Sequence, residues 1–196
     1  MRHILTLSLF LSSFIINAQV FEDATQIEPL KIGATIPAVE VTSYLGKSKS
    51  ISKIVSEQKT VLVFFRGGWC PYCNKHLAAV GAIQDQISEL GYQVIAISPD
   101  SPEKLSENID KNSLKYELYS DASTELMQAM GLAITAPERY SNMLLDFSDD
   151  KNSDVIPVPA VYILNTNGKV LYNYVNPNYK ERLEEDELLE ALNKFN

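Results

Sequence analysis

The sequence predicts an α/β fold in which parallel strands alternate with helices. Residues 61–65 and 94–98 are short apolar runs, rich in β-branched and aromatic side chains, with the length of buried strands. Apolar residues recur at intervals of three and four over 77–90, which is typical of a helix that packs on the first strand. A second helix start is marked by Pro102, shortly after the second strand. This order implies parallel strands joined by right-handed crossovers.

The amino-terminal segment, residues 1–18, has the features of a secretory signal peptide. Arg2 precedes an uncharged apolar run over 4–16, and Ala18 supplies a small residue for cleavage. The run is short for a membrane-spanning helix, although an uncleaved anchor remains an alternative. We therefore expect cleavage after Ala18 and export, for example to the periplasm.

Length and composition indicate one globular domain after this segment. The chain has 196 residues, of which 45% are hydrophobic, enough for a single core. Residues 19–29 are polar and without pattern, so we expect a mobile leader there and a domain that covers 30–196. The net charge of −8 argues against partners such as nucleic acid or an anionic membrane surface.

The remaining elements follow from strand and turn signals. Residues 39–42 predict a strand, and residues 50–55 predict a second short strand that runs into a helical turn. With the glycine turn between them, they indicate an amino-terminal β-hairpin ahead of the first buried strand. Residues 133–158 fit no clean pattern and are interpreted as a central insertion with one short helix. The other predicted elements are an extended piece at 116–119, a short helix at 121–130, strands at 161–164 and 169–175 joined by a turn, and a last helix at 185–195.

The only two cysteines of the chain stand three residues apart at the predicted start of the first helix. Residues i and i+3 of a helical turn lie roughly 5–6 Å apart, within the Cα separation of about 4.4–6.8 Å that a disulfide requires. Pro71 between them suits the first helical position, where its missing N–H costs nothing. Cys70 is therefore predicted at the helix N-terminus, where free backbone N–H groups and the helix dipole lower the pKa of a thiol.

This arrangement predicts a dithiol–disulfide redox site with Cys70 as the nucleophilic thiolate and Cys73, one turn inside and less exposed, as the resolving thiol. A purely structural bridge is less favoured, because so small a loop stabilises the fold little. A metal site is also less favoured, since His76 is the only histidine beyond the first three residues and a four-ligand site needs more. We expect neither a metal nor another cofactor.

Four segments carry motifs of a known family. They are a Gly-x-x-x-Pro opening within 31–37, the sequence RGGWCPYC at 66–73, a Ser-Asp stretch before a short helix within 118–131, and VPAVYIL at 158–164. On these motifs the chain from about residue 30 to 195 resembles the peroxiredoxin-like branch of the alkyl hydroperoxide reductase and thiol-specific antioxidant family. The resemblance implies a thioredoxin-like three-layer sandwich, here with an N-terminal β-hairpin and a central insertion.

The resemblance also implies supporting site residues. In that fold the peptide bond before Pro159 is cis, the loop faces the dithiol, and the backbone beside it, at Val158, pairs with an incoming peptide as an added strand. Trp69 is expected to form a contact surface beside the reactive thiol, with a core position as the alternative. Tyr72, between the cysteines, is expected to tune the redox poise.

Two positions depart from the patterns of the reference families. Peroxiredoxins place Thr or Ser three residues before the peroxide-attacking Cys, where its hydroxyl helps to bind peroxide, and this chain has Gly67 there. Thioredoxins place a buried Asp six residues before the first Cys, and this chain has Phe64 there. Arg66 is a candidate for the positive charge that stabilises the thiolate. A solvent-facing arginine at a strand end is the equal alternative.

Together these observations predict an exported thiol–disulfide oxidoreductase of the peroxiredoxin-like type, acting on disulfides, hydroperoxides or both. Its partners would be an exported thiol reductant and a protein disulfide or small hydroperoxide substrate. One alternative is a non-catalytic exported domain for interaction or metal handling. Another is a chain that keeps the fold with its cysteine pair permanently oxidised.

Overall fold

The computed structural model describes residues 19–195, so the expected signal peptide at 1–18 lies outside the described residues. Its strands, numbered in chain order, are β1 (Glu40–Ser43), β2 (Ser48–Ser50), β3 (Lys59–Phe64), β4 (Tyr92–Ser98), β5 (Glu117–Ser120), β6 (Ala133–Thr135), β7 (Val155–Pro157), β8 (Ala160–Leu164) and β9 (Val170–Val175). Seven of them form one sheet in the order β2-β1-β5-β4-β3-β8-β9. β3, β4 and β5 are parallel, as the sequence predicts, and the other neighbours are antiparallel.

The helices are α1 (Ile51–Val55), α2 (Pro71–Ala82), α3 (Gln84–Glu89), α4 (Pro102–Asn112), α5 (Glu125–Ala129), α6 (Ser141–Ser148) and α7 (Glu185–Lys194). The helix expected over 77–90 is divided in two, because the backbone leaves helical geometry at Ile83, shortly after the poor helix former Gly81. Ile83 and Ile87 still face the same core, so the apolar period survives the break.

Alternation along β3 produces the layers, because successive side chains of a strand point to opposite faces of the sheet. Val61 and Val63 join a cluster that includes buried residues of α2, α3, α4 and α7. Leu62 and Phe64 join a second cluster that includes residues of α1 and α5. Both faces of the central strands are covered, which explains why these runs are apolar throughout. Among residues 19–195, no helix is long and apolar enough to cross a bilayer.

The predicted amino-terminal hairpin is confirmed: β1 pairs antiparallel with β2, and β1 also extends the sheet beside β5. The second strand is earlier than expected, because β2 ends at Ser50 and residues 51–55 form α1. The central segment at 133–158 contains the expected short helix, α6, preceded by a 3-10 turn at Glu138–Tyr140. It also contains a feature that the sequence pattern did not reveal, a separate two-stranded sheet of β6 and β7. Its strands have three residues each, too short for an alternating pattern to be recognised.

The expectation of a mobile leader over 19–29 is wrong. Phe21 is buried, its backbone N–H donates to the Ala133 oxygen over 2.9 Å, and its own oxygen accepts from Thr135 over 2.8 Å. The leader thus lies along β6 as a parallel bridge. Further along, Gly131 has φ of +67°, and a side chain there would overlap the backbone oxygen of Glu28. Residues 19–29 show no strand pattern of their own, because the segment pairs only through Phe21 with a distant strand of three residues.

Candidate active site

The cysteines lie where β3 ends at the carboxyl edge of the parallel strands, the usual location of sites in open α/β sheets. A short loop through Gly67 and Gly68 leads to α2, which begins at Pro71. Cys70 is the N-cap residue of this helix, in an extended conformation, and its sulfur accepts a hydrogen bond from the backbone N–H of Cys73 over 3.4 Å. The predicted position of Cys70 at the helix N-terminus is confirmed.

Both cysteines are present as thiols, and their sulfur atoms lie 2.7 Å apart, with the Cys73 thiol donating to Cys70. Each residue is only 1% exposed. Surface exposure therefore does not distinguish the two residues, but burial acts more strongly on Cys73, where it is the main cause of the raised pKa.

The environments of the two thiols separate their pKa values. The pKa of Cys70 is lowered to about 6, chiefly by the hydrogen bond from the Cys73 thiol, with the Cys73 N–H and the charges of Arg66 and Arg182 adding to it against burial. The pKa of Cys73 is raised well above its usual range by burial and by the hydrogen bond and charge of Cys70. At neutral pH the arrangement holds one thiolate, on Cys70, beside one thiol.

Arg66 is buried, and three aromatic rings surround its guanidinium. The guanidinium carbon lies 4.9 Å from the ring centroid of Trp69, 5.5 Å from Tyr140 and 4.4 Å from Tyr179. The solvent-facing alternative for Arg66 is excluded by this burial. Its charge instead lies close enough to Cys70 to lower the pKa of that thiol. Trp69 is half-buried and packs against Tyr140 with ring centroids 5.3 Å apart, so it combines core packing with a place beside the dithiol.

The loop that carries Val158 and Pro159 lies across a cleft from Arg66. All three residues line a cavity of about 270 Å³. The expectation of a cis bond at Pro159 is wrong: no peptide bond among residues 19–195 is cis, which agrees with the general preference of X–Pro bonds for trans. The backbone N–H of Val158 donates to the Leu132 oxygen over 2.8 Å, because the chain enters this loop directly from β7. That N–H is occupied within the fold, so it does not offer the expected pairing to an incoming peptide.

On the other side of the dithiol, Tyr72 is 40% exposed and contacts Tyr179 edge to face, with ring centroids 5.8 Å apart. Tyr179 and Arg182 come from the segment between β9 and α7, which sequence reasoning did not connect with the site. The Nη2 atom of Arg182 donates to the Cys73 sulfur over 3.6 Å. No local signal could have found either residue, since they reach the cysteines only through the tertiary fold.

His76 lies on α2 one turn beyond Cys73 and is buried. Burial, with the nearby charge of Arg182, lowers the pKa of His76 to about 4, so its imidazole is neutral at physiological pH. A shielded, structural place for this histidine agrees with its burial. Among residues 19–195 no group of three or more His, Cys, Asp or Glu side chains is arranged to hold a metal ion.

Asp100 is a second residue that sequence reasoning missed. It follows β4, the strand next to β3, and is 1% exposed beneath the loop before Cys70. Its Oδ2 atom accepts the backbone N–H of Gly68 over 2.6 Å. Burial raises the pKa of Asp100 to about 7. Its position directly after a parallel strand, at the same sheet edge as the cysteines, is the sequence signal that could have found it.

We expect the Asp100→Asn substitution to flatten the pH dependence of stability. A carboxyl whose folded pKa is raised from 3.8 to about 7 contributes stability fully below pH 3.8 and loses it as pH rises through about 7. The loss amounts to roughly 4 kcal/mol, because each pKa unit corresponds to about 1.4 kcal/mol. Asparagine stays neutral and keeps an oxygen for the Gly68 N–H. Urea unfolding of both proteins across this pH range measures the difference.

The matched control is Asp110→Asn, which removes an exposed carboxylate from α4 and should follow the wild-type pH dependence. An Asp100→Asn protein whose stability declines as steeply as that of wild type between pH 4 and 8 would contradict the assigned titration.

Comparison with known proteins identifies the family of this sequence. A model of the AhpC/TSA family matches residues 32–173. Thiol-disulfide oxidoreductase ResA of Bacillus thuringiensis subsp. konkukian is 25% identical over 162 residues, which cover 82% of this chain and 79% of that protein. The putative peroxiredoxin bcp of Haemophilus influenzae is 27% identical over 106 residues, covering 54% of this chain and 68% of that protein.

Solved structures with the same fold include peroxiredoxins. Reduced Prx3 from Vibrio vulnificus, in complex with H2O2, has a TM-score of 0.71 and 17% identity, over 83% of this chain and 99% of that chain. Peroxidoxin BcpB from Mycobacterium tuberculosis has a TM-score of 0.68 and 19% identity, over 85% of this chain and 99% of that chain. This likeness confirms the predicted thioredoxin-like α/β fold.

Proposed function

This chain belongs to the AhpC/TSA family, and from that premise we propose that it is a thiol–disulfide oxidoreductase of the peroxiredoxin-like type, with Cys70 as the nucleophile and Cys73 as the resolving thiol. The observation that carries the proposal is the pair of sulfur atoms at the start of α2. Cys70 has its pKa lowered to about 6, and the Cys73 thiol lies 2.7 Å away. A thiolate is the reactive form in thiol–disulfide exchange, and a neighbouring thiol completes it.

In the proposed reaction the Cys70 thiolate attacks one sulfur of a substrate disulfide and expels the other as a thiolate. Cys73 then attacks the Cys70 sulfur, forms the Cys70–Cys73 bond and releases the second substrate thiol. The substrate is reduced by two electrons, and the cysteine pair is oxidised. An external dithiol then returns the pair to the reduced state.

A small hydroperoxide is the second candidate substrate. Burial of both sulfurs favours small substrates, and the cavity of about 270 Å³ beside Arg66 has room for them. Gly67 has no hydroxyl to help bind a peroxide, which argues against rapid peroxide turnover. The indole nitrogen of Trp69 takes the space that a side chain at this position would need. We therefore place disulfide exchange first.

The test is to trap the intermediate on a Cys73→Ala variant. After reaction with a model disulfide, mass spectrometry should find the substrate thiol bound to Cys70 in the variant, whereas the wild-type protein should carry a Cys70–Cys73 bond. Cys70→Ser is the matched control and should trap nothing. An empty trap together with rapid sulfenylation of Cys70 by hydrogen peroxide would favour the hydroperoxide candidate instead.

Export belongs to the same proposal. The apolar run at 4–16 and Ala18 have the features of a cleaved signal, and a protein delivered to an oxidising compartment would need an exported thiol reductant as its partner. Amino-terminal sequencing of the protein purified from its source should begin at Gln19. A purified protein that begins at Met1 would contradict cleavage and support the alternative of an uncleaved anchor.

A further inference from the structure

The segment between β9 and α7 brings a guanidinium to the second cysteine. Leu183 is 4% exposed and belongs to the same apolar cluster as both cysteines, which fixes the segment against the site. From the neighbouring position, the Nη2 atom of Arg182 donates to the Cys73 sulfur over 3.6 Å, and its Nη1 atom donates to the Glu181 backbone oxygen over 2.7 Å. Arg182 therefore touches one of the two reacting atoms of the proposed reaction.

The charge of Arg182 is not neutralised by its neighbour Glu181. The carboxylate of Glu181 instead accepts hydrogen bonds from Asn176 over 2.7 Å and from Asn178 over 2.9 Å. None of the ion pairs found among residues 19–195 includes Arg182. The fold thus keeps a half-buried positive charge available to Cys73, at a site where solvent screens it less than at the surface.

Changes at Cys70 during the reaction alter what acts on Cys73. In the reduced protein, burial, the hydrogen bond donated to Cys70 and the negative charge of Cys70 all raise the pKa of Cys73, whereas a backbone N–H bond from Arg66 and the charge of Arg182 lower it. Once Cys70 is bonded to a substrate sulfur, its charge and its acceptor role are gone. Of the three effects that raise the pKa of Cys73, only burial then remains, while Arg182 and the Arg66 N–H still lower that pKa. The equilibrium therefore moves towards the Cys73 thiolate. His76, which is buried near Arg182, is neutral and does not oppose this. The other charged side chains that line the same surface pocket are Lys75, Lys180, Glu181, Glu184, Glu185 and Glu187.

We propose that Arg182 is a catalytic residue of the second half of the reaction, where its guanidinium stabilises Cys73 as the thiolate that resolves the mixed disulfide. The inference rests on the proposed function of the cysteine pair. In this step the Cys73 thiolate attacks the Cys70 sulfur, the Cys70–Cys73 bond forms and the bond between Cys70 and the substrate sulfur breaks. The electron pair leaves on the substrate sulfur, which takes up from solvent the proton that Cys73 released. In the reverse direction the same contact stabilises Cys73 as the leaving group when a reductant attacks Cys70.

The two halves can be separated with dithiobis(nitrobenzoate), a disulfide that releases a coloured thiol at each step. The first release reports attack by Cys70, and the second reports resolution by Cys73. In Arg182→Gln we expect the second release to be about three- to tenfold slower near neutral pH. Each unit of increase in the pKa of Cys73 removes about nine-tenths of its thiolate. The remaining thiolate is more basic and therefore more nucleophilic, but this raises its rate of attack only about threefold.

The pH profile distinguishes this role from mere support of the fold. The deficit in the second release should shrink as pH rises, since Cys73 ionises without help at high pH. The first release should change less, because the Cys73 hydrogen bond, and not Arg182, is the main cause of the acidity of Cys70. Arg182→Lys, which keeps the charge without the planar guanidinium, should fall between wild type and Arg182→Gln.

Lys180→Gln is the matched control, because it removes the positive charge of a lysine in the same segment, whose Nζ atom lies 6.0 Å from the ring centroid of Tyr179. Both of its releases should match wild type. Equal slowing of both releases in Arg182→Gln with an unchanged pH profile, or no slowing of the second, would overturn the role of Arg182 alone. A wild-type protein that releases only one coloured thiol would overturn the proposed function, and this inference with it.

Discussion

Replacing Cys70 by serine is expected to lower the rate of disulfide reduction by a factor of at least about a thousand, as the loss of a nucleophile does in other enzymes. The reason is that the remaining sulfur, on Cys73, has its pKa raised well above the usual range and is protonated at neutral pH. In the wild-type protein the first step should instead follow ionisation of Cys70. Its rate should rise with pH, reach half its maximum near pH 6 and then level off. Stopped-flow measurement of the first coloured thiol across pH provides both results.

The Cys73→Ala variant is the informative control for this profile. It keeps the nucleophile but removes the hydrogen bond that contributes most to the lowered pKa of Cys70. Its first step should therefore persist, with the half-maximal rate moved to higher pH. A Cys70→Ser protein that retains most of the wild-type rate, or a profile in Cys73→Ala that stays at pH 6, would contradict the assigned electrostatics.

Replacing Gly67 by alanine is expected to destabilise the protein by about 2–4 kcal/mol, in the range of a strained backbone combined with a buried steric clash. Gly67 has φ of +147°, and a Cβ there would overlap the indole nitrogen of Trp69 and lie 2.7 Å from the Oδ1 atom of Asp100. Threonine, one of the two residues that the resemblance implies at this position, is larger still, so it should damage the site instead of restoring peroxide binding. Urea unfolding measures the loss, and the exchange rate should decrease with it.

Gly81→Ala is the control, because Gly81 lies within α2 and a Cβ there would meet the Tyr116 ring at an ordinary distance of 3.6 Å. It should be neutral or stabilise by about 0.5–1 kcal/mol, since alanine is the better helix former. A Gly67→Ala protein as stable as Gly81→Ala would show that the loop before Cys70 can rearrange at little cost.

Two expectations from resemblance failed at the cleft beside Arg66. The bond before Pro159 is trans. The hydrogen bond from Val158 to Leu132 continues the pairing of β7, which ends immediately before it. β7 exists only because it pairs with β6, and β6 in turn holds the leader through Phe21. The central insertion therefore occupies the Val158 N–H that the resemblance had assigned to an incoming peptide.

The sequence by itself determined the α/β class, the parallel order of β3, β4 and β5, and the position of Cys70 at the start of a helix. These depend on local periods and on Pro71, so neighbours along the chain are enough to specify them. Only the tertiary structure decided which charges surround the sulfurs. Arg182 lies 109 residues from Cys73 in the sequence, and Asp100 reaches Gly68 from another strand. Contacts between distant segments depend on how the sheet and its covering helices pack, and no local pattern records that packing.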